Sequence, residues 1–113
     1  MKNFRVNAFL TVAVSVFCFS VNAEEVDVDG AKALAKQNNC FRCHGVDKDK
    51  DGPAWNKIAA KFKADPKGEE KILHHLSSGE MAKFPDGHEE AHTILKSDDA
   101  KQTKNLVDWI LSL

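Results

Sequence analysis

Cysteine is scarce in this sequence, with three in 113 residues. Cys18 lies in an apolar stretch near the N-terminus, whereas Cys40 and Cys43 form a single C-x-x-C pair followed directly by His44. A small domain stabilised by disulfides needs more cysteines, and a zinc finger needs a second ligand pair at finger spacing. The sequence therefore supplies no disulfide framework. Disulfides would form only if the protein were exported to an oxidising compartment.

An excess of either charge is also lacking, because 16 Lys and Arg face 17 Asp and Glu. The first 23 residues contain two of the basic residues and none of the acidic ones, so the rest of the chain is slightly more acidic than the whole. A nucleic-acid-binding domain usually carries a clear basic surplus. This class of function is therefore not expected.

Residues 1–23 have the parts of an export signal. A basic start precedes an apolar run over residues 6–21, and small residues, the last of them Ala23, occupy the positions read by signal peptidase. A permanent anchor is the alternative, but the run is near the lower limit for spanning a bilayer and contains Asn7. We expect cleavage after Ala23 and one soluble periplasmic domain over residues 24–113, without stable membrane insertion.

Apolar residues recur at helical spacing in four segments, and no segment shows the alternation of a strand. The predicted helices are 30–38 with Asp29 as N-cap, 55–62, one from Asp65-Pro66 to Gly79, and a last one capped by Ser97. Residues 79–96 show no period and are predicted to form a loop. The expected fold is all-α, with about four short helices and long loops. A domain this small usually needs an additional stabilising group.

The motif Cys40-Phe41-Arg42-Cys43-His44 carries the chemistry. Two thiols at this spacing add to the two vinyl groups of one haem, and the next residue, a histidine, reaches the iron. We therefore expect one covalent haem c, attached at Cys40 and Cys43, with His44 as an iron ligand.

Two other readings of the pair are weaker. A thioredoxin-like redox motif would be accompanied by a βαβ pattern, which this sequence lacks. A Cys₂His₂ zinc site that uses His88 and His92 is formally possible, because these residues lie four apart. The adjacent His44 and the export signal argue against it.

On these residues the chain resembles the class I cytochromes c, particularly the small bacterial monohaem electron carriers. The matching segments are the haem motif, Gly52-Pro53-Ala54-Trp55, residues 58–62 and residues 106–111. The resemblance implies a cytochrome c fold around the haem. It also implies that the Pro53 carbonyl accepts the Nδ1 proton of His44, that Trp55 lies near the haem edge, and that Leu34 and Trp109 meet where the first and last helices cross.

The second iron ligand is where the sequence departs from this family. Class I cytochromes usually supply a methionine, often followed by proline, before the last helix, and this sequence has no Met-Pro. His92 lies 17 residues before Trp109, near the spacing that the resemblance implies, whereas His88 lies 21 and Met81 lies 28 before it. We expect His92 to bind the iron, with His88 and Met81 as alternatives. His74 and His75, on a predicted helix, are expected to be exposed.

The expected function is electron transfer by a non-enzymatic, monomeric carrier with a bis-histidine haem. The alternative is a ligand-binding or peroxide-reducing haem protein, which needs a vacant or labile iron position. Partner redox proteins are expected to dock at the haem edge. Lysines near that edge would steer them, with Lys48, Lys50, Lys57, Lys61 and Lys83 as candidates.

Overall fold

The computed structural model describes residues 12–20 and 24–113. Residues 12–20 are exposed and form no regular secondary structure. The basic start of the predicted export signal and its cleavage site after Ala23 lie outside the described residues, so cleavage stays a prediction. Among the helices of the described ranges, none has the length and apolar character needed to cross a bilayer.

The described part of the chain contains four α-helices and one β-hairpin, so the predicted helical fold class is confirmed. The helices are α1 Val28–Gln37, α2 Trp55–Phe62, α3 Gly68–Ser78 and α4 Ala100–Leu111, with a single 3₁₀ turn at Cys40–Arg42. The two strands are β1 Met81–Lys83 and β2 Glu89–Ala91. The second helix has the predicted bounds, whereas the starts of the other three differ.

The hairpin corrects the prediction that no strand would form. Strands β1 and β2 pair antiparallel with Ala82 opposite Glu90, and the turn between them contains Gly87 at a φ of 93°. The amide of Phe84 donates to the His88 carbonyl at 2.8 Å and closes the turn. Each strand has three residues, which is too short for alternation to be recognised in a sequence.

The N-caps of α1 and α4 differ from those predicted. Asp27 caps α1 in place of Asp29, and its Oδ1 accepts from the Gly30 amide at 2.9 Å. The backbone of Asp27 exchanges two further hydrogen bonds of 2.8 Å with the side chain of Asn105 on α4. This tertiary contact selects Asp27, and it is not visible in the local sequence. At α4, Asp99 accepts from the Lys101 amide and is the N-cap in place of Ser97.

Helix α3 begins at Gly68, later than the predicted start at Asp65-Pro66. Asp65 forms a preceding turn, in which its carbonyl accepts from the Gly68 amide at 2.9 Å. A Cβ on Gly68 would lie 2.2 Å from the Phe62 carbonyl oxygen, so this close approach to α2 requires glycine. The predicted end holds, because Gly79 adopts a left-handed φ of 65° as the C-cap.

The core lies where α1 and α4 pack together, with α2 and α3 against α4. Leu34 of α1 and Trp109 of α4 are both buried in this cluster. The rings of Trp55 and Trp109 meet in an edge-to-face arrangement with 5.1 Å between their centroids, which joins α2 to the same core. The prediction that Trp109 is a core residue is confirmed, since it is 3% exposed.

Truncation of Trp109 tests how much this core contributes to the stability of the fold. Trp109→Ala should lower the free energy of unfolding by about 3–5 kcal/mol, because it removes a large buried ring and leaves a cavity. Lys101→Ala, at an exposed position of the same helix, should change it by less than about 0.5 kcal/mol. Guanidinium chloride denaturation followed by circular dichroism measures both variants. Equal losses in the two would contradict this account of the core.

Candidate functional site

A cavity of about 1610 Å³ lies between α2, α3, the hairpin and the segment that contains Cys40, Cys43 and His44. Residues 92–96, which we call the distal segment, form a fifth side, where His92, Thr93 and Leu95 line the cavity. Clefts that bind small molecules and cofactors have volumes of roughly 300–1,000 Å³. A cavity of this size, with thiols and imidazoles on its wall, has the character of a binding site for a large group.

The C-x-x-C-H motif folds as a tight turn that brings its side chains to one wall of the cavity. Asn39 adopts a left-handed φ of 57°, and the amides of Cys43 and His44 both donate to the Cys40 carbonyl, at 3.2 and 3.0 Å. Both thiols are free and half-buried. Burial raises the pKa of the Cys40 thiol above its usual value. The turn therefore places Cys40, Cys43 and His44 together at the cavity.

The His44 ring is held from behind by the segment 52–53. Its Nδ1 lies 2.7 Å from the Pro53 carbonyl, which can only accept, so Nδ1 carries the proton and donates it. The other ring nitrogen, Nε2, is then left with a lone pair for a metal. A Cβ on Gly52 would lie 2.6 Å from His44 Cε1, so glycine is needed for the ring to occupy this place.

Burial lowers the pKa of His44 below its ordinary value, and this outweighs the opposing effect of the bond to Pro53. The imidazole is therefore neutral at neutral pH, the form that binds metals. Trp55 lies parallel to it, with 5.9 Å between ring centroids and 12° between planes. Trp55 is 3% exposed and lines the cavity, so it supports His44 from the α2 side.

The distal segment is fixed to two helices. The His92 amide donates to the Glu80 carbonyl at 2.8 Å, and the Leu95 amide donates to the Leu76 carbonyl of α3 at 2.7 Å. At its end, the backbone of Lys96 bonds the Asn38 side chain, with 2.8 Å from the Lys96 amide to Asn38 Oδ1. The position of His92 is therefore set by backbone hydrogen bonds on both sides.

His92 faces His44 across the cavity, with 6.2 Å between ring centroids and 53° between ring planes. Its Nδ1 is buried and has no hydrogen-bond partner among residues 12–20 and 24–113. Burial lowers the pKa of His92, and the neighbouring His75 and His44 lower it further. A neutral, partly buried imidazole therefore lies opposite His44.

His75 is a site residue that the sequence prediction misplaced at the surface. Its side chain is half-buried and its ring centroid lies 3.9 Å from that of His92, whereas its neighbour His74 is exposed as predicted. Consecutive residues of a helix lie about 100° apart, so His74 and His75 point in different directions from α3. Contact of His75 with His92 depends on how the distal segment returns to the helix. No local signal in the sequence carries that information.

The two alternative distal ligands occupy different places. Met81 is 61% exposed on β1 and does not line the cavity. His88 reaches the cavity rim, but both of its ring nitrogens are engaged, Nδ1 by Asp86 and Nε2 by Glu90 at 3.0 Å. The bond to Asp86, followed by that to Glu90, raises the pKa of His88 and favours its protonated form, which does not bind metals.

A zinc site is not supported by the arrangement of side chains. Throughout the described ranges, no three His, Cys, Asp or Glu side chains converge closely enough to hold a metal ion by themselves. The Cys₂His₂ alternative raised by His88 and His92 therefore lacks the geometry it needs.

The residues present do fit a haem. A metal ion bound between two imidazoles lies roughly 2 Å from each ligating nitrogen, and a C–N bond of about 1.33 Å places that nitrogen roughly 1.1 Å from its ring centre. The two ring centres are then about 6 Å apart, which matches the 6.2 Å between His44 and His92. The two free thiols on the cavity wall suit the same group.

Comparison with known proteins gives a consistent result. The family model described as cytochrome c matches residues 28–113. The crystal structure of the class 1 cytochrome MtoD from Sideroxydans lithotrophicus ES-1 is 58% identical, with a TM-score of 0.74 over 78% of this chain and 97% of that one. That of wild-type Nitrosomonas europaea cytochrome c552 is 32% identical, with a TM-score of 0.59 over 73% and 98%. Cytochrome c-551 of Pseudomonas aeruginosa is 30% identical over 72% of this chain and 74% of its own length.

Proposed function

This chain belongs to the cytochrome c family, and we propose that it is a periplasmic electron carrier whose haem is attached at Cys40 and Cys43 and coordinated by His44 and His92. Membership of the family means that the chain carries one covalent haem c with its iron and serves electron transfer.

The spacing of the two imidazoles carries the proposal. His44 and His92 lie on opposite sides of one cavity at the separation that a single iron between them requires, and both have a lowered pKa. Met81 faces away from the cavity, and both nitrogens of His88 are engaged by carboxylates. Among the three candidates, His92 is the one whose position and charge state suit the iron.

Each residue then has a defined part in electron transfer. When bound, the haem supplies reversible one-electron chemistry between Fe(II) and Fe(III). Pro53 orients His44 and increases its basicity through the bond to Nδ1. Apolar side chains such as Ile72 and Leu106 line the cavity and exclude water. Bis-histidine coordination favours ferric iron more than a methionine ligand does, so the midpoint potential should be lower than with methionine.

The anchored distal segment favours a carrier over a ligand-binding or peroxide-reducing protein. Those functions need an iron position that is open or easily vacated. His92 is held by the Glu80 carbonyl, and its segment is further tied to Leu76 and Asn38. A ligand fixed in this way leaves no vacant position for a substrate.

Partner redox proteins would dock where the cavity reaches the surface. Of the five candidate lysines, Lys57, Lys61 and Lys83 line the cavity, whereas Lys50 is engaged with the Phe41 carbonyl at 2.6 Å. Lys57 is paired with Asp49. Lys61 and Lys83 are therefore the best placed to attract an acidic partner. Export through the signal at residues 1–23 would bring the monomer to partners in the periplasm.

Spectroscopy of the mature protein tests the proposed coordination. We expect low-spin spectra in both oxidation states, without the weak red absorption band of a ferric methionine–iron bond, and a reversible one-electron titration. Low-spin spectra that contain the band would identify Met81 as the ligand. A high-spin ferric spectrum at neutral pH would favour the ligand-binding alternative.

A further inference from the structure

His75 lies directly against the proposed distal ligand. Its ring centroid is 3.9 Å from that of His92, at 44° between planes, which is contact distance for two rings. His75 belongs to α3, whereas His92 belongs to the distal segment, so the contact joins a rigid helix to a ligand on an irregular segment. Rotation of His92 about its own side-chain bonds is blocked on this flank.

Glu80 holds both histidines. Its Oε1 lies 2.5 Å from His75 Nδ1, and its backbone carbonyl accepts the His92 amide at 2.8 Å. The His75 ring is thus fixed by the same residue that fixes the backbone of His92.

We propose that His75, held by the Glu80 carboxylate, is a positioning residue that sets the ring plane of His92 on the distal side of the haem. The inference rests on the proposed function, since it takes His92 as an iron ligand. In the structure, the planes of His44 and His92 make an angle of 53°. Pro53 fixes the His44 plane through Nδ1, and His75 plays the corresponding part for His92, by ring contact.

The angle between two axial imidazole planes is measurable, because it sets the anisotropy of the ferric low-spin electron paramagnetic resonance spectrum. His75→Ala removes the ring contact, so His92 should remain bound but rotate. We expect the low-spin state to be retained. The largest g value should shift by more than the spread of repeated wild-type measurements, and its line should be broader. A role of His75 in stability alone would lower the denaturation midpoint without moving this g value.

Two further variants separate the parts of the contact. Glu80→Ala removes the carboxylate and keeps the backbone bond to His92, so it should shift the g value in the same direction as His75→Ala. His75→Phe keeps a ring beside His92, so its line should be narrower than that of His75→Ala. His74→Ala is the matched control, because His74 also lies near Glu80, with 3.7 Å to Oε2, but its side chain is exposed. This variant should leave the spectrum unchanged.

The outcomes distinguish this proposal from the one on which it rests. If His92→Ala stays low-spin, His92 is not the ligand, and both proposals fail. If His92→Ala becomes high-spin while His75→Ala and Glu80→Ala keep the wild-type g values, the bis-histidine haem stands and the positioning role is wrong. Should His75→Ala fail to mature, Glu80→Ala decides: a shifted g value supports the role, and an unchanged one overturns it.

Discussion

Replacement of both Cys40 and Cys43 by alanine should abolish covalent attachment of the haem. The two thiols lie in one tight turn on the cavity wall, and each would form a thioether bond to one vinyl group. We expect almost all of the haem to remain with the wild-type chain after acid–acetone extraction and almost none with the double variant. Absorbance of the extracted polypeptide measures the difference.

Cys18 provides the matched control for this experiment. It is the one cysteine of the sequence outside the motif, and it lies in the predicted export signal. Cys18→Ala should leave attachment unchanged. If the double variant still held haem after extraction, the attachment residues would be other than Cys40 and Cys43.

His92→Ala should convert the haem from low-spin to high-spin almost completely. The substitution removes the imidazole that faces His44 at 6.2 Å, and an alanine side chain supplies no ligand in its place. The ferric absorption spectrum and binding of added imidazole measure the change. His92→Met should keep the iron low-spin and raise the midpoint potential, because a thioether favours ferrous iron.

The rival ligands are tested by the same spectra. His88→Ala and Met81→Ala should leave the spin state unchanged, since the His88 nitrogens bond Asp86 and Glu90 and Met81 lies outside the cavity. Loss of the low-spin spectrum in either variant, with a normal spectrum in His92→Ala, would reassign the ligand.

The sequence predicts features that depend on neighbours along the chain. The spacing of Cys40, Cys43 and His44 needs one turn of backbone, and the apolar period of α2 lies within eight residues. The positions of Gly79 and Trp109 also follow from local patterns: a left-handed C-cap and the apolar face of a helix. These features could be found because the physical cause and its signal occupy the same short segment.

Features that depend on distant contacts were predicted wrongly or not at all. Asp27 is the cap of α1 because Asn105, 78 residues away, bonds its backbone. The contact of His75 with His92 depends on the return of the distal segment to α3. The hairpin pairs two strands of three residues, each below the length at which a pattern is recognised.

The Asn38 side chain links the distal segment to the first helix. Its Nδ2 donates to the carbonyl of Leu34, inside α1, at 3.0 Å and to that of Lys96 at 3.3 Å, while its Oδ1 accepts from the Lys96 amide. Two residues later the chain reaches Cys40. Movement of the distal segment away from the iron would therefore disturb the end of α1 next to the haem motif. The rate at which an external ligand displaces His92 would then be limited by the rate of this joint opening. The displacement rate would become independent of ligand concentration once that ligand is abundant.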